Sequence, residues 1–174
     1  MGIPGEPVED GLTFETNAAI KARFAVRATG LPSLADDSGI EVEALGGAPG
    51  VRTRRYAGPN ATDAENNAKL LRELAAVPTA GRGARYVCVL ALGLPDAAAP
   101  GGIQLVFRRG TSRGRVADAL RGQGGFGYDP LFEPSRERAG GRTFGQYAAA
   151  EKDAISHRGR AARRMAPVLR ELGF

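Results

Sequence analysis

The chain has 174 residues, 43% hydrophobic and 25% charged, enough for one domain with a substantial buried core and carrying no mark of disorder. A lone cysteine, Cys88, excludes a disulfide framework or cysteine metal cluster, and a single histidine excludes a multi-histidine metal centre. No stretch reaches the length of a membrane span and the N-terminus lacks a signal-peptide pattern, so a cytoplasmic protein is expected; the net charge of +5 favours anionic partners.

In chain order, residues 13–29 read as a helix, with Thr13 as N-cap and Gly30 as stop. Phe14, Ala18, Ala22 and Ala25 form its apolar stripe, and Lys21 lies beside that stripe with Asn17 one turn earlier. Two readings of Lys21 stay open: a lysine whose stem covers the core, or an ammonium aimed into a phosphate site. "LADDSG" (34–39) then sets Asp36 and Asp37 side by side at the end of a strand, where two carboxylates repel unless solvent or a cation relieves them. "IEVEAL" (40–45) alternates as a half-buried strand, with Ile40, Val42 and Ala44 on one face, and "GGAPG" follows as a loop. Thr62 and Glu65 form a capping-box pattern, and Ala64, Ala68, Leu71 and Ala75 a helical stripe behind it. "YVCVLALGL" (86–94) suits a central buried strand, and "IQLVFRR" (103–109) pairs with it. A last helix is expected from about Ser156 to Leu172, kinked or shortened by Pro167. The class is α/β with a mixed sheet.

The positive charge is nearly all arginine, clustered locally at Arg52, Arg54, Arg55 and at Arg158, Arg160, Arg163, Arg164, and both nucleotide and nucleic acid stay open as partners. No G-x-x-x-x-G-K-[ST] loop is present, and the glycine-rich "GQGGFGYDP" (122–130) lacks the lysine of such a loop. The remaining inventory of acids, Lys21, Lys152, His157 and a few arginines suits Mg²⁺-assisted phosphate chemistry. In "EKDAISHRGRA" (151–161), His157 and Arg158 fall in the first turn of the last helix, where the dipole disfavours cations. Either the two are simply solvated or an anionic or oxygen-rich ligand docks between them.

"GLTFETNAAIKA", "ADDSGIEVEALGGAPGVRTRRYAG", "GGFGYDPLF" and "EKDAISHRGRA" occur in this order at compatible spacings. Together they closely resemble the non-canonical purine nucleoside triphosphate pyrophosphatases, also called inosine triphosphate pyrophosphatases, from about Val8 to the C-terminus. The resemblance implies an elongated mixed sheet with flanking helices, two lobes around a nucleotide cleft, and one domain over residues 1–174. It implies Mg²⁺-dependent hydrolysis of ITP, dITP and XTP to the monophosphate and pyrophosphate, by a cytoplasmic homodimer with no membrane or stable nucleic-acid partner. By position, Glu9 and Asp37 resemble the family's metal ligands, and Asp37 also its proton acceptor. Asp36 would shape the field, Ser38 contact substrate, and Lys21 act near the phosphates. Phe126, Gly127, Tyr128 and Asp129 look like the base-binding loop, with Phe126 stacking on the purine, and Lys152, His157 and Arg158 match the residues that read the base.

The family also has an initial strand with a Ser/Thr-x-Asn-x-x-Lys phosphate loop, for which this sequence offers no match, so an N-terminally truncated domain of reduced activity is expected. A catalytically weakened nucleotide-binding relative and a basic nucleic-acid-binding protein are the alternatives.

Overall fold

The structure is a computed structural model and describes residues 5–174. A four-stranded sheet in the order β1 (Ser33–Val42), β2 (Gly83–Pro95), β3 (Ile103–Val116), β4 (Phe132–Pro134) is its frame. Helices α1 (Phe14–Thr29), α2 (Asp63–Glu73), α3 (Ala149–Ile155) and α4 (His157–Glu171) flank it. This is the expected α/β architecture; each of the three strand pairings is antiparallel.

Helix α1 starts and stops where expected. The Thr13 hydroxyl accepts from Thr16 N, and Gly30 closes the helix at φ 70° with its N–H on Val26 O. Phe14, Ala18 and Ala22 bury against Val87, Val89 and Ala91 of β2. On the opposite face, Cys88, Leu90 and Leu92 pack against Ala161 and Met165 of α4. The continuous apolar run of β2 therefore reflects a strand covered by a helix on each side.

Strand β1 corrects the sequence reading. It begins at Ser33, so Asp36 and Asp37 lie inside it, and it ends at Val42, where Glu43–Leu45 turn into a 3₁₀ segment that leaves Ala44 exposed. Ile40 and Val42 are buried as expected. Pairing with β2 over its whole length carries the strand through the acidic pair, which a reading of hydropathy alone breaks.

Helix α2 has the anticipated capping box, yet its buried face is Asn66, Asn67, Leu70 and Leu74, while Ala64, Ala68 and Ala75 are exposed. Alanines at helical spacing imitated an apolar stripe and hid two buried asparagines. Pro167 lies inside α4 without ending it, because the residue is exposed and Val168 and Leu169 beyond it still pack on the core. Arg163, whose carbonyl the proline leaves free one turn back, is itself an exposed residue. Gly110 of β3 lets the start of α4 come close: a Cβ there would sit 2.1 Å from His157 O.

Candidate active site

Adjacent side chains of a strand project to opposite faces. Asp37 pairs in register with Val89 and faces α1; Asp36 pairs with Leu90 and faces α4. Each carboxylate therefore meets its own cation. Lys21 Nζ of α1 lies 2.7 Å from Asp37 Oδ1 and 3.2 Å from Glu9 Oε2. Arg158, in the first turn of α4, donates to Asp36 Oδ2 at 2.8 Å, and Ser38 Oγ bonds the same oxygen at 2.9 Å. A cation that the α4 dipole disfavours is thus balanced by a carboxylate from β1.

Identical neighbours become chemically distinct in this arrangement. Burial pushes the Asp37 carboxyl up; the Lys21 hydrogen bond and charge oppose this, but Glu9 adds repulsion and the net shift is upward. Burial also pushes Asp36 up, but Arg158 and Ser38 outweigh it and hold that carboxyl below its ordinary value. Burial lowers Lys21, yet Asp37 and Glu9 more than compensate, so its ammonium is held above the usual lysine range. Asp37 Oδ2 is buried and has no hydrogen-bond partner among the described residues. A carboxylate with a raised pKa and a free oxygen, beside one held ionised, is the pattern of a base next to an electrostatic partner.

Two cavities meet at this point. The first, about 670 Å³, sets the acids Glu6, Glu9, Asp36 and Asp37 against the bases Lys21, Arg54, Arg55 and Arg158. The second, about 330 Å³, is lined by the rings of Tyr86, Phe126, Tyr128 and His157 together with Gly127 and Asp63. They share Ser38, Thr53, Arg54 and Arg158 as a common waist. A polyanion fits the first and a flat heterocycle the second.

His157 is 2% exposed and stacks on Tyr86 at 4.5 Å between centroids with 9° between planes. Burial, then the charges of Arg158 and Lys152, pull its pKa down to about 3, so it faces the cavity as a neutral imidazole. Phe126 is half exposed, with Lys152 Nζ 4.4 Å and the Arg158 guanidinium 5.2 Å from its ring centroid. Tyr128 is anchored by its hydroxyl on Thr53 O at 2.8 Å.

Of the residues singled out from sequence, Glu9, Lys21, Asp36, Asp37, Ser38 and Arg158 converge on the first cavity. Phe126, Gly127, Tyr128 and His157, again with Ser38 and Arg158, line the second. Asp129 and Lys152 line neither; they form a buried ion pair behind the loop, where Asp129 Oδ2 also accepts from Phe126 N at 2.8 Å. The sequence reading missed Thr53, Tyr86, Asp63, Asn66 and Asn67. Tyr86 was hidden in an apolar run. The Arg52, Arg54, Arg55 cluster was visible but not its division: Arg54 and Arg55 face the charged cavity, while Arg52 lines a separate groove.

Glu9 and Asp37 fit a hard divalent cation. Both touch one ammonium, and the buried Asp37 Oδ2 lacks a partner, as a metal-ligating oxygen would in the absence of its ion. Two carboxylates suit Mg²⁺, which completes its shell with water and phosphate oxygens.

Residues 2–168 match the Ham1 family. The chain is 45% identical to a dITP/XTP pyrophosphatase of Anaeromyxobacter sp. (strain Fw109-5), over 96% of this chain and 81% of that protein. It is 51% identical to a dITP/XTP pyrophosphatase of Syntrophobacter fumaroxidans, over 90% of this chain and 62% of that one. A HAM1 protein structure from Coxiella burnetii superposes with a TM-score of 0.85 at 44% identity, covering 96% of this chain and 81% of that chain.

Proposed function

The chain belongs to the Ham1 family, and on that premise we propose that it hydrolyses the deaminated purine nucleotides ITP, dITP and XTP to the monophosphate and pyrophosphate, with Mg²⁺. The observation that carries this reading is the pair of joined cavities, one charged and one aromatic, with Asp37 in the charged one. The purine occupies the aromatic cavity, the α-phosphate lies at the waist, and the two outer phosphates extend toward Lys21, Arg54 and Arg55.

Asp37 takes the proton of a water that attacks the α-phosphorus. The new bond is from water oxygen to phosphorus, and the bond to the α,β-bridging oxygen breaks as pyrophosphate leaves. Arg158 and Ser38 occupy Asp36, whereas Asp37 keeps an oxygen without a partner among the described residues, and Lys21 keeps its carboxylate oriented. Asp36 holds Arg158 at the waist. Mg²⁺, held by Glu9 and Asp37, would neutralise phosphate charge as the leaving group departs.

Selectivity rests on donors. Hypoxanthine and xanthine carry an oxygen at C6 where adenine carries an amino group. Arg158 can only donate, so it accommodates the oxygen and faces the amino group donor to donor; neutral His157, with one donor and one acceptor nitrogen, adds to this in the tautomer that turns its N–H toward the base. Each such buried mismatch costs about 1–3 kcal/mol. The homodimer implied by the resemblance forms part of this reading, and light scattering checks it.

Measuring pyrophosphate release from ITP, dITP, XTP, ATP and GTP, with and without Mg²⁺, tests the proposal. Metal-dependent release favouring the first three over ATP is expected; guanine keeps the C6 oxygen, so rejection of GTP rests on its 2-amino group and not on these donors. Tight ITP binding without release would instead favour a nucleotide-binding relative.

A further inference from the structure

Helix α2 contributes nothing to the acids and cations of the charged cavity, yet it grips the loop that carries Phe126. Asp63 Oδ2 accepts from Gly127 N at 2.6 Å, and Asn67 Nδ2 donates to Gly127 O at 2.9 Å. Positions 63 and 67 are one turn apart on one helix face, so both polar groups of a single loop residue are held by one rigid element. The Thr62–Glu65 capping box fixes the helix start from which Asp63 projects. Gly127 sits at φ 58°, in the left-handed region, and without a Cβ its peptide groups can turn to other conformations unless something holds them. Next to it, Phe126 N is held by Asp129, so the backbone on both sides of the ring is anchored while the ring itself stays half exposed.

The asparagines are costly where they stand. Asn67 is 4% exposed and its Oδ1 has no partner among the described residues. A leucine would serve core packing better, so the position is explained by what its amide does for Gly127. Asn66, its neighbour, does the matching task across the cavity: its Nδ2 donates to Arg54 O at 3.0 Å and its Oδ1 accepts from Ala57 N at 2.8 Å. One helix thus ties down two parts of the aromatic cavity's lining, Gly127 and Arg54.

We propose that Asp63 and Asn67 are positioning residues for base recognition, acting through the Gly127 peptide to hold Phe126 as a stacking platform. The inference rests on the reading that Phe126 stacks on the purine. It locates part of the affinity for the base in a helix that the reacting groups never touch.

A kinetic cycle tests it, with ITP as substrate. Phe126→Ala, Asn67→Ala, Asp63→Ala and the two double variants with Phe126→Ala are compared for KM, kcat and Tm. Asn67→Ala and Asp63→Ala should each raise KM about fivefold or more, as expected for one lost hydrogen bond, with kcat within about twofold. In the Phe126→Ala background the same changes should add nothing, because residues acting as a unit are not additive. Asp63→Asn keeps an acceptor oxygen and should restore most of the loss. Should Asn67→Ala fail to fold, the exposed Asp63 carries the cycle. A KM effect that persists undiminished without the Phe126 ring, or one that falls on kcat, overturns the inference. An unchanged KM in Phe126→Ala alone overturns the stacking reading, and the inference with it.

Discussion

Asp36 and Asp37 differ only in which side of the sheet they face, and that difference assigns their chemistry. Toward α1, Asp37 meets Lys21 and Glu9 in a buried setting that raises its pKa; toward α4, Asp36 meets Arg158 and stays ionised. An amide at position 37 can neither accept the proton of the attacking water nor offset a cation's charge. Asp37→Asn should therefore lower kcat by on the order of 10²–10⁴, read as Mg²⁺-dependent pyrophosphate release at saturating ITP. A rate near that of the unsubstituted chain would remove Asp37 from the base role. Arg158→Ala should act differently, because Arg158 lines both cavities. Loss of its donors should cost ITP about 1–3 kcal/mol in kcat/KM and ATP less, narrowing the ratio between them. An unchanged ratio would mean that Arg158 serves only to hold Asp36. The acidic pair was legible in the sequence as a place of chemistry, since its composition is conspicuous. Its division of labour was not, because alternation assigns faces only once the strand is known to run through residues 36 and 37.

At the scale of elements, signals that act locally were readable and signals that depend on a partner were not. The α1 caps, the capping box of α2 and the Ser156 cap of α4 all stand where side-chain chemistry placed them, since a cap needs only the residues beside it. The start of β1 at Ser33 and the buried asparagines of α2 depend on what lies across from them, and so escaped. Gly39 shows the same dependence. In the sequence it is one more glycine after "DDS"; in the fold, a Cβ there would lie 2.5 Å from Gly50 O and 2.8 Å from Phe14 Cε1. The strand needs its absence so that the 3₁₀ turn Gly50–Arg55, which brings Thr53 and Arg54 to the waist, can close against it. Gly39→Ala must push that turn away, because a backbone oxygen has no rotamer to escape into. A loss of about 1–3 kcal/mol is expected in urea denaturation, together with a raised KM for ITP. Unchanged stability would show that the turn yields freely.

Across the whole molecule, the sheet separates two helices whose side chains converge at the site: α1 supplies Lys21 to the charged cavity from one face, and α4 supplies Arg158 to it, and His157 to the aromatic one, from the other. Bringing the start of α4 onto β3 at Gly110 buries His157, the only histidine in the chain, beneath Tyr86 and beside two cations. Its pKa, down to about 3 in the fold from an ordinary 6.5, links stability to pH. The unfolded chain takes up a proton at His157 as pH falls below about 6.5, whereas the folded chain resists until about pH 3. Falling pH therefore favours unfolding through this window. Asp36, held low, adds to the loss only below its ordinary pKa of 3.8, and Asp37, held high, works in the opposite direction as it takes up its proton. The cleanest reading is thus the upper part of the window, between pH 7 and pH 5. There the histidine alone should lower the unfolding free energy by on the order of 1–2 kcal/mol, visible as a lower urea midpoint with an unchanged slope. His157→Phe keeps a ring against Tyr86 and removes the titration, so its midpoint should be nearly level between the two pH values. A chain with His157 whose midpoint is equally level would mean that the imidazole takes its proton in the fold as readily as in water, and that the base cavity is charged at neutral-to-acid pH.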